Sequence, residues 1–157
     1  MKIIQIYILI SLSIILTGCM NTKPDKELTY FNTLVSQYFK DYKPDEYTSI
    51  DKPEIKRLIL GIKKSSLSLD DYNVIHNKLK SDGWKIISDK DNFYEYCFGE
   101  NLYIASLYPE KEKYYNLAGN EIIPFNQNEW AVILNYNKNK VNYCRNEKLP
   151  IIELEEI

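Results

Sequence analysis

Residues 83–98 read GWKIISDKDNFYEYCF, and the spacing of their apolar side chains decides the fold class. Before Gly83, apolar residues recur every three or four positions, which is the period of a helix. After Gly83 they recur every second position, which is the period of a strand. Two strands, 84–88 and 93–98, are therefore predicted, with a turn between them. Gly83 predicts the end of the preceding helix, because glycine tolerates the left-handed backbone conformation.

Three helices are predicted upstream of this change. The first has an apolar face over 28–42 and ends before Pro44, which restricts the residue preceding it. After a loop over 43–52, the second helix begins at Pro53, a residue favoured in a first helical turn. The third begins at Ser68, whose spacing from Asp71 resembles a capping box. The residues predicted to face inward from the second and third helices are Ile55, Leu58, Ile59, Ile62, Tyr72, Ile75 and Leu79.

Further strands are predicted downstream, at 101–108, 114–117, 121–123, 130–136, 141–144 and 149–154. The clearest is 130–136, where Trp130, Val132, Leu134 and Tyr136 share one face. Because the helices come first and the strands follow in sequence, the chain is expected to be α+β. We expect about three N-terminal helices packed on one face of an antiparallel sheet of five or more strands.

The first 19 residues have the features of an export signal. A positive start at Lys2 is followed by 14 residues without charge, 3–16. As a helix they would span about 21 Å, too short for a hydrocarbon core of about 30 Å. The run is therefore interpreted as the apolar region of a signal peptide. The stretch Leu16-Thr17-Gly18-Cys19 resembles the lipobox of bacterial lipoproteins, and this resemblance covers residues 1–19 only.

The resemblance implies cleavage between Gly18 and Cys19, with acyl chains such as palmitate on Cys19. Two or three chains would anchor the protein to a membrane stably, whereas one anchors it only marginally. Residues 1–18 are then the signal peptide, 19–27 the lipidated cysteine and tether, and 28–157 a single α+β domain that resembles no family. The alternative is an ordinary signal peptide with no lipid on Cys19.

The resemblance also implies a location in the cell envelope. Met20, rather than aspartate, follows the cysteine. In Gram-negative lipoproteins this favours the outer membrane, facing the periplasm. The chain has 20 basic and 22 acidic residues, a net charge of −2. With no basic excess, no nucleic-acid partner is expected.

Cys97 and Cys144 are the two cysteines that remain after Cys19. An exported chain meets an oxidising compartment, so an even pair predicts a disulfide. Two buried free thiols or a metal site are the alternatives. A metal site needs three or four ligands, and His76 is the only histidine of the chain. No metal or cofactor is therefore expected.

No catalytic set is predicted. His76 flanks the apolar face of the third predicted helix, and no second histidine or serine-nucleophile motif supports it, so we expect it to pack against the sheet. A Cys–His pair would need the disulfide to be absent. Asp70 and Asp71 suit the first turn of a helix, where acids complement the dipole. The acidic cluster Glu153, Glu155 and Glu156 lies near the end of the sequence, and no phosphate-binding glycine motif occurs.

Eight tyrosines lie in the region of the predicted strands. They are interpreted either as half-buried strand residues with solvated hydroxyls or as a face that binds a protein. They are Tyr94, Tyr96, Tyr103, Tyr108, Tyr114, Tyr115, Tyr136 and Tyr143. We expect a non-enzymatic lipoprotein that binds a protein partner, in envelope assembly or as an immunity protein that blocks a toxic effector. The alternative is a small-ligand-binding lipoprotein or an envelope hydrolase, which would need an enclosed pocket lined by His76, a tyrosine or a carboxylate.

Overall fold

The computed structural model describes residues 26–116 and 119–145, with their side chains from residue 30 onward. The predicted signal peptide, the lipid site at Cys19 and the strand predicted at 149–154 lie outside these residues. No helix in the described part is long and apolar enough to cross a membrane. The elements are α1 (Lys26–Tyr38), β1 (Asp45–Asp51), β2 (Ile55–Lys63), α2 (Leu69–Ser81), β3 (Lys85–Lys90), β4 (Phe93–Phe98), β5 (Leu102–Leu107), β6 (Tyr114–Tyr115), β7 (Glu121–Ile122) and β8 (Glu129–Asn137), with short 3-10 turns at Lys40–Tyr42 and Asn142–Cys144.

Six strands of the described residues form one antiparallel sheet, in the order β1-β2-β8-β5-β4-β3. The last long strand, β8, lies in the middle and pairs with β2 over nine residues, from Ile55 opposite Asn137 to Lys63 opposite Glu129. On its other side β8 pairs with β5. β8 therefore joins the N-terminal hairpin β1–β2 to the meander β3–β4–β5.

Both helices contribute to a core on one face of the sheet, here called the helix face. Tyr72 of α2 stacks on Trp130 of β8, with ring centroids 4.4 Å apart. The buried Trp130 indole Nε1–H donates to the Leu67 carbonyl at 2.8 Å, so its one polar group is satisfied. The core residues that are fully buried include Phe31, Phe39, Leu60, Ile62, Leu67, Tyr72, Leu79, Tyr96, Ile104, Trp130 and Leu134.

The ends of α2 are those predicted. The Ser68 hydroxyl accepts the Asp71 backbone N–H at 3.1 Å, and the Ser68 N–H donates to the Asp71 carboxylate at 3.4 Å, which completes a capping box. Just beyond the helix, Gly83 has φ +93°, the left-handed conformation expected after a helix end. Tyr72, Ile75 and Leu79 are the buried residues of the helix.

The prediction of three N-terminal helices is wrong, although the fold is broadly α+β. The described residues contain two α-helices, and α2 lies between strands. The second predicted helix is strand β2, and the loop predicted before it is mostly strand β1. The run Leu58-Ile59-Leu60 is apolar at every position, so it fits both periods. Pairing with β8 selects the strand, because it buries Leu58, Leu60 and Ile62 together against the helices.

A second correction concerns 141–144, predicted as a strand. It contains a 3-10 turn, Asn142–Cys144, and it follows Lys140, which has φ +73°. Lys140 closes the turn that follows β8, where its N–H donates to the Asn137 carbonyl at 3.0 Å. The small hairpin predicted over 114–123 is present as β6–β7.

Candidate protein-binding face

The face of the sheet opposite the helices, here called the second face, is built from three rows of cross-strand neighbours. Successive side chains of a strand point to opposite faces, so residues paired across the strands share a face. The rows, read from β2 to β4, are Arg57–Asn135–Tyr103–Cys97, Ile59–Ile133–Ala105–Glu95 and Gly61–Ala131–Leu107–Phe93.

The half of the second face over β4 and β5 is covered. Tyr114 of β6 and Val141 are buried in one cluster with Phe93, Tyr103 and Leu107. The predicted disulfide between Cys97 and Cys144 is present, with 5.5 Å between the Cα atoms. It fastens the 3-10 turn Asn142–Cys144 to β4. This half is therefore closed by the chain itself.

The half over β1, β2 and β8 leaves large apolar side chains in solvent. Tyr47, opposite Ile59, is 66% exposed, and Phe125 is 87% exposed. Phe125 lines a shallow depression together with Ile59, Gly61 and Ala131. Strand β2 carries no side chain at Gly61, where an added Cβ would lie 3.2 Å from a Glu129 carboxylate oxygen. We call the residues of this surface the open half-face: Tyr47, Arg57, Ile59, Gly61, Phe125, Ala131, Ile133 and Asn135.

Polar groups mark the border between the two halves. Glu95 is fully buried and accepts the Tyr103 hydroxyl at 2.5 Å. Burial, and next this hydrogen bond, raises the pKa of Tyr103 well above its usual range. Within residues 26–116 and 119–145, three buried atoms find no hydrogen-bond partner here: Glu95 Oε2, Asn135 Oδ1 and Arg57 Nε. Arg57 and Asn135 are direct cross-strand neighbours, so a donor and an acceptor lie unpaired side by side.

His76 lies on the other side of the sheet. Its Nδ1 is 2.9 Å from the Tyr96 hydroxyl, which is in turn 3.2 Å from the Tyr72 hydroxyl, and its ring meets Tyr94 edge-on. Desolvation lowers the pKa of His76, the nearby charge of Lys80 adds to this, and Asp89 opposes both. His76 therefore packs against β4, on the side of the sheet that the sequence predicted. Cys97 and Cys144 are both in the disulfide, so neither is free to pair with His76.

The predicted carboxylate and tyrosine clusters are distributed through the fold. Asp71 serves the capping box and Asp70 is exposed, while the cluster at 153–156 lies outside the described residues. Tyr94, Tyr96, Tyr103 and Tyr114 are buried, in two different clusters. They do not form an exposed tyrosine face. Of the exposed aromatic residues of the open half-face, Tyr47 lies in the segment predicted as a loop, and Phe125 lies between two predicted strands, 121–123 and 130–136.

A cleft of about 300 Å³ between α1 and β1 is another concave surface of the described chain. Its lining residues are Asn32, Val35, Ser36, Lys40, Pro44 and Glu46. Only one carboxylate and one amine are among them, in an open and solvated setting. In the described ranges no group of three or more His, Cys, Asp or Glu residues is placed to hold a metal ion.

Comparison with known proteins finds no family model, no curated protein and no solved structure that matches this chain.

Proposed function

We propose that this protein is a bacterial envelope lipoprotein whose domain binds a protein partner through the open half-face. The role would be non-catalytic, in envelope assembly or as an immunity-type inhibitor of a toxic effector. Lipid on Cys19 would hold the domain at the membrane surface, at the outer membrane facing the periplasm in a Gram-negative cell. The anchor rests on the lipobox resemblance, and the binding role rests on the surface of the domain.

The single observation that supports partner binding is the exposure of large apolar side chains next to one another. Tyr47, Ile59 and Phe125 lie on or beside one face of the sheet, and Tyr47 and Phe125 are more than half exposed. Isolated exposed apolar residues are ordinary, but adjacent ones are typical of interaction surfaces. Burying apolar area contributes about 25 cal/mol per Å², and aromatic anchors near the centre of an interface contribute most.

Photocrosslinking in living cells tests the binding role. The photoreactive amino acid p-benzoylphenylalanine replaces Tyr47 or Phe125, and in the control it replaces Val74. Val74 is 68% exposed and lies on α2, on the opposite side of the sheet. It is therefore about as exposed as Tyr47 but lies outside the open half-face. We expect the same protein to be crosslinked from positions 47 and 125 and not from 74. No adduct, or the same adduct from position 74, would contradict the proposal.

Metabolic labelling tests the anchor separately. Cells fed an alkyne analogue of palmitate are expected to label the wild-type protein and a Met20→Leu control, with both in the membrane fraction. A Cys19→Ala variant is expected to lose the label, because the thiol that receives the lipid is gone. Label that persists in Cys19→Ala would show that Cys19 is not the lipid site.

A further inference from the structure

The depression beside Phe125 has apolar side chains in its lining and a carboxylate at its edge. Ile59, Gly61 and Ala131 line it from the two central strands. Glu129 is half-buried, and one of its carboxylate oxygens lies 3.2 Å from the position that a Cβ of Gly61 would take. The carboxylate therefore lies beside the space that is open because β2 has no side chain at this residue.

The charges close to Gly61 are mostly negative. Asp45 of β1 is its exposed cross-strand neighbour, and Glu129 of β8 lies on its other side. Lys63 is the cross-strand neighbour of Glu129, but none of the ion pairs in the described part of the chain joins these two residues. A half-buried carboxylate without an ion pair is stabilised when a partner supplies a hydrogen-bonding cation.

A positive charge lies at the other end of the same face. Arg57 precedes Gly61 by four residues along β2, which corresponds to roughly 13 Å. The face is therefore positive near Arg57 and negative near Gly61. A cationic group of a partner is repelled at the first end and attracted at the second, so complementary charge places it at the depression.

The size of the depression restricts its occupant to part of one side chain. Its volume is about 80 Å³, whereas pockets that bind small molecules have about 300–1,000 Å³. The Phe125 ring is 87% exposed, so a flat cation can stack on it. Arginine combines the required properties: an apolar stem, a planar charged group and two N–H donors that match a carboxylate. Lysine has the charge without the planar group.

On the basis of the proposed function, we propose that the partner docks on the open half-face through an arginine whose guanidinium enters this depression. The guanidinium donates to the Glu129 carboxylate and stacks on Phe125. The stem of the arginine packs over Gly61 and Ala131. Glu129 selects the charge of the partner's side chain, and Gly61 leaves the space that the side chain fills.

Two synthetic peptides test this inference against the isotope-labelled full chain purified in detergent. One is Ser-Gly-Arg-Gly-Ser, capped at both ends, and the other has citrulline in place of arginine, which keeps the shape without the charge. Binding is followed by NMR at the backbone amides of Gly61 and Ala131. The arginine peptide is expected to bind about fivefold more tightly, as for a partly exposed ion pair. High salt is expected to reduce this preference by screening.

Variants assign the preference to the depression. Glu129→Gln is expected to abolish it, and Gly61→Ala to weaken binding of the arginine peptide, because the added methyl group occupies the space above β2. Lys63→Gln is expected to keep or increase the preference, since it removes a charge that repels arginine. The matched control Asp70→Asn removes a carboxylate from α2, on the opposite side of the sheet, and is expected to change nothing. Circular dichroism checks that each variant is folded.

Other outcomes overturn the inference. Equal binding of the two peptides, binding of neither, or an arginine preference that survives Glu129→Gln would each do so. Dimerisation of the full chain that Glu129→Gln abolishes, without peptide binding, would also overturn it, by assigning the face to a second copy. If positions 47 and 125 still crosslink to a partner in any of these cases, the proposed function stands while the arginine contact falls. If they do not, the proposed function fails as well.

Discussion

At the scale of single residues, Glu95 and His76 are titratable side chains in different surroundings. Glu95 lies fully buried under the covered half of the second face, with one oxygen bonded to Tyr103. His76 is only partly covered on the helix face, where it contacts Tyr96 and Tyr94. Glu95 accepts a buried hydrogen bond, and burial of His76 disfavours its charged form.

Replacing Tyr103 with Phe is expected to lower the free energy of unfolding by about 1–3 kcal/mol. The variant keeps the ring but removes the hydroxyl that donates to Glu95, which leaves a buried acceptor unpaired. Urea denaturation measures the change. Tyr47→Phe is the control, because that hydroxyl is on an exposed side chain, and its effect should stay within about 0.5 kcal/mol. Equal effects of the two variants would show that the Tyr103 hydrogen bond does not stabilise the fold.

His76 is expected to titrate below pH 6.5 in the folded protein. Desolvation by burial lowers its pKa, so the folded state disfavours the imidazolium. Between the folded pKa and 6.5 the unfolded chain binds more protons, so stability falls as the pH decreases through this window. NMR of the imidazole resonances measures the midpoint without ambiguity, since the chain has one histidine. A midpoint at or above 6.5 would contradict the expectation.

At the scale of elements, the disulfide lies where the second face is closed. The 3-10 turn Asn142–Cys144 pairs with no strand among residues 26–116 and 119–145, and it is attached to β4 through Cys97–Cys144. Val141 and Cys144 then help to bury Tyr103 and Phe93. The disulfide therefore attaches this segment to the sheet by a covalent bond, whereas the strands are attached to one another by backbone hydrogen bonds.

Removing the disulfide by Cys97→Ser with Cys144→Ser is expected to cost about 2–4 kcal/mol of stability. The bond joins residues 47 positions apart, and a closed loop of that length corresponds to about 4 kcal/mol of chain entropy. Thermal or urea unfolding compares the double variant with the oxidised and the reduced wild type. The reduced wild type serves as the control and should resemble the double variant. An unchanged stability would show that the turn is held by packing alone.

At the scale of the whole molecule, β8 makes the sheet one cooperative unit. It pairs on one side with β2, whose partners lie 66 to 82 positions earlier in the chain, and on the other with β5, whose partners lie 24 to 34 positions earlier. Trp130 of β8 is buried under α2, and Trp84 stands at the start of the meander. Without β8, strands β2 and β5 would each lack one of their two neighbouring strands.

Unfolding is therefore expected to be a single transition. Far-ultraviolet circular dichroism, which follows the backbone, and tryptophan fluorescence, which follows Trp84 and Trp130, should give the same urea midpoint. The oxidised chain is used, so that disulfide exchange does not add a second process. Two separate midpoints would mean that the β1–β2 hairpin and the β3–β4–β5 meander unfold independently.

Local patterns in the sequence determined several features of the described domain. The capping box at Ser68, the glycine after α2 and the strands that follow Gly83 each depend on neighbours a few residues away. The pairing of Cys97 with Cys144 follows from their being the two cysteines left after Cys19. The lipobox resemblance likewise depends on adjacent residues, and its consequences for Cys19 stay predictions.

The tertiary structure alone decided the state of β2 and the site built on it. The run Leu58-Ile59-Leu60 is apolar throughout, so its local pattern suits a helix and a strand equally. Its pairing with β8 made it a strand, and the same pairing placed Arg57 beside Asn135 and put Ile59, half-buried, on the second face. The physical reason is that such contacts join residues more than 70 positions apart. Local periodicity carries no information about them.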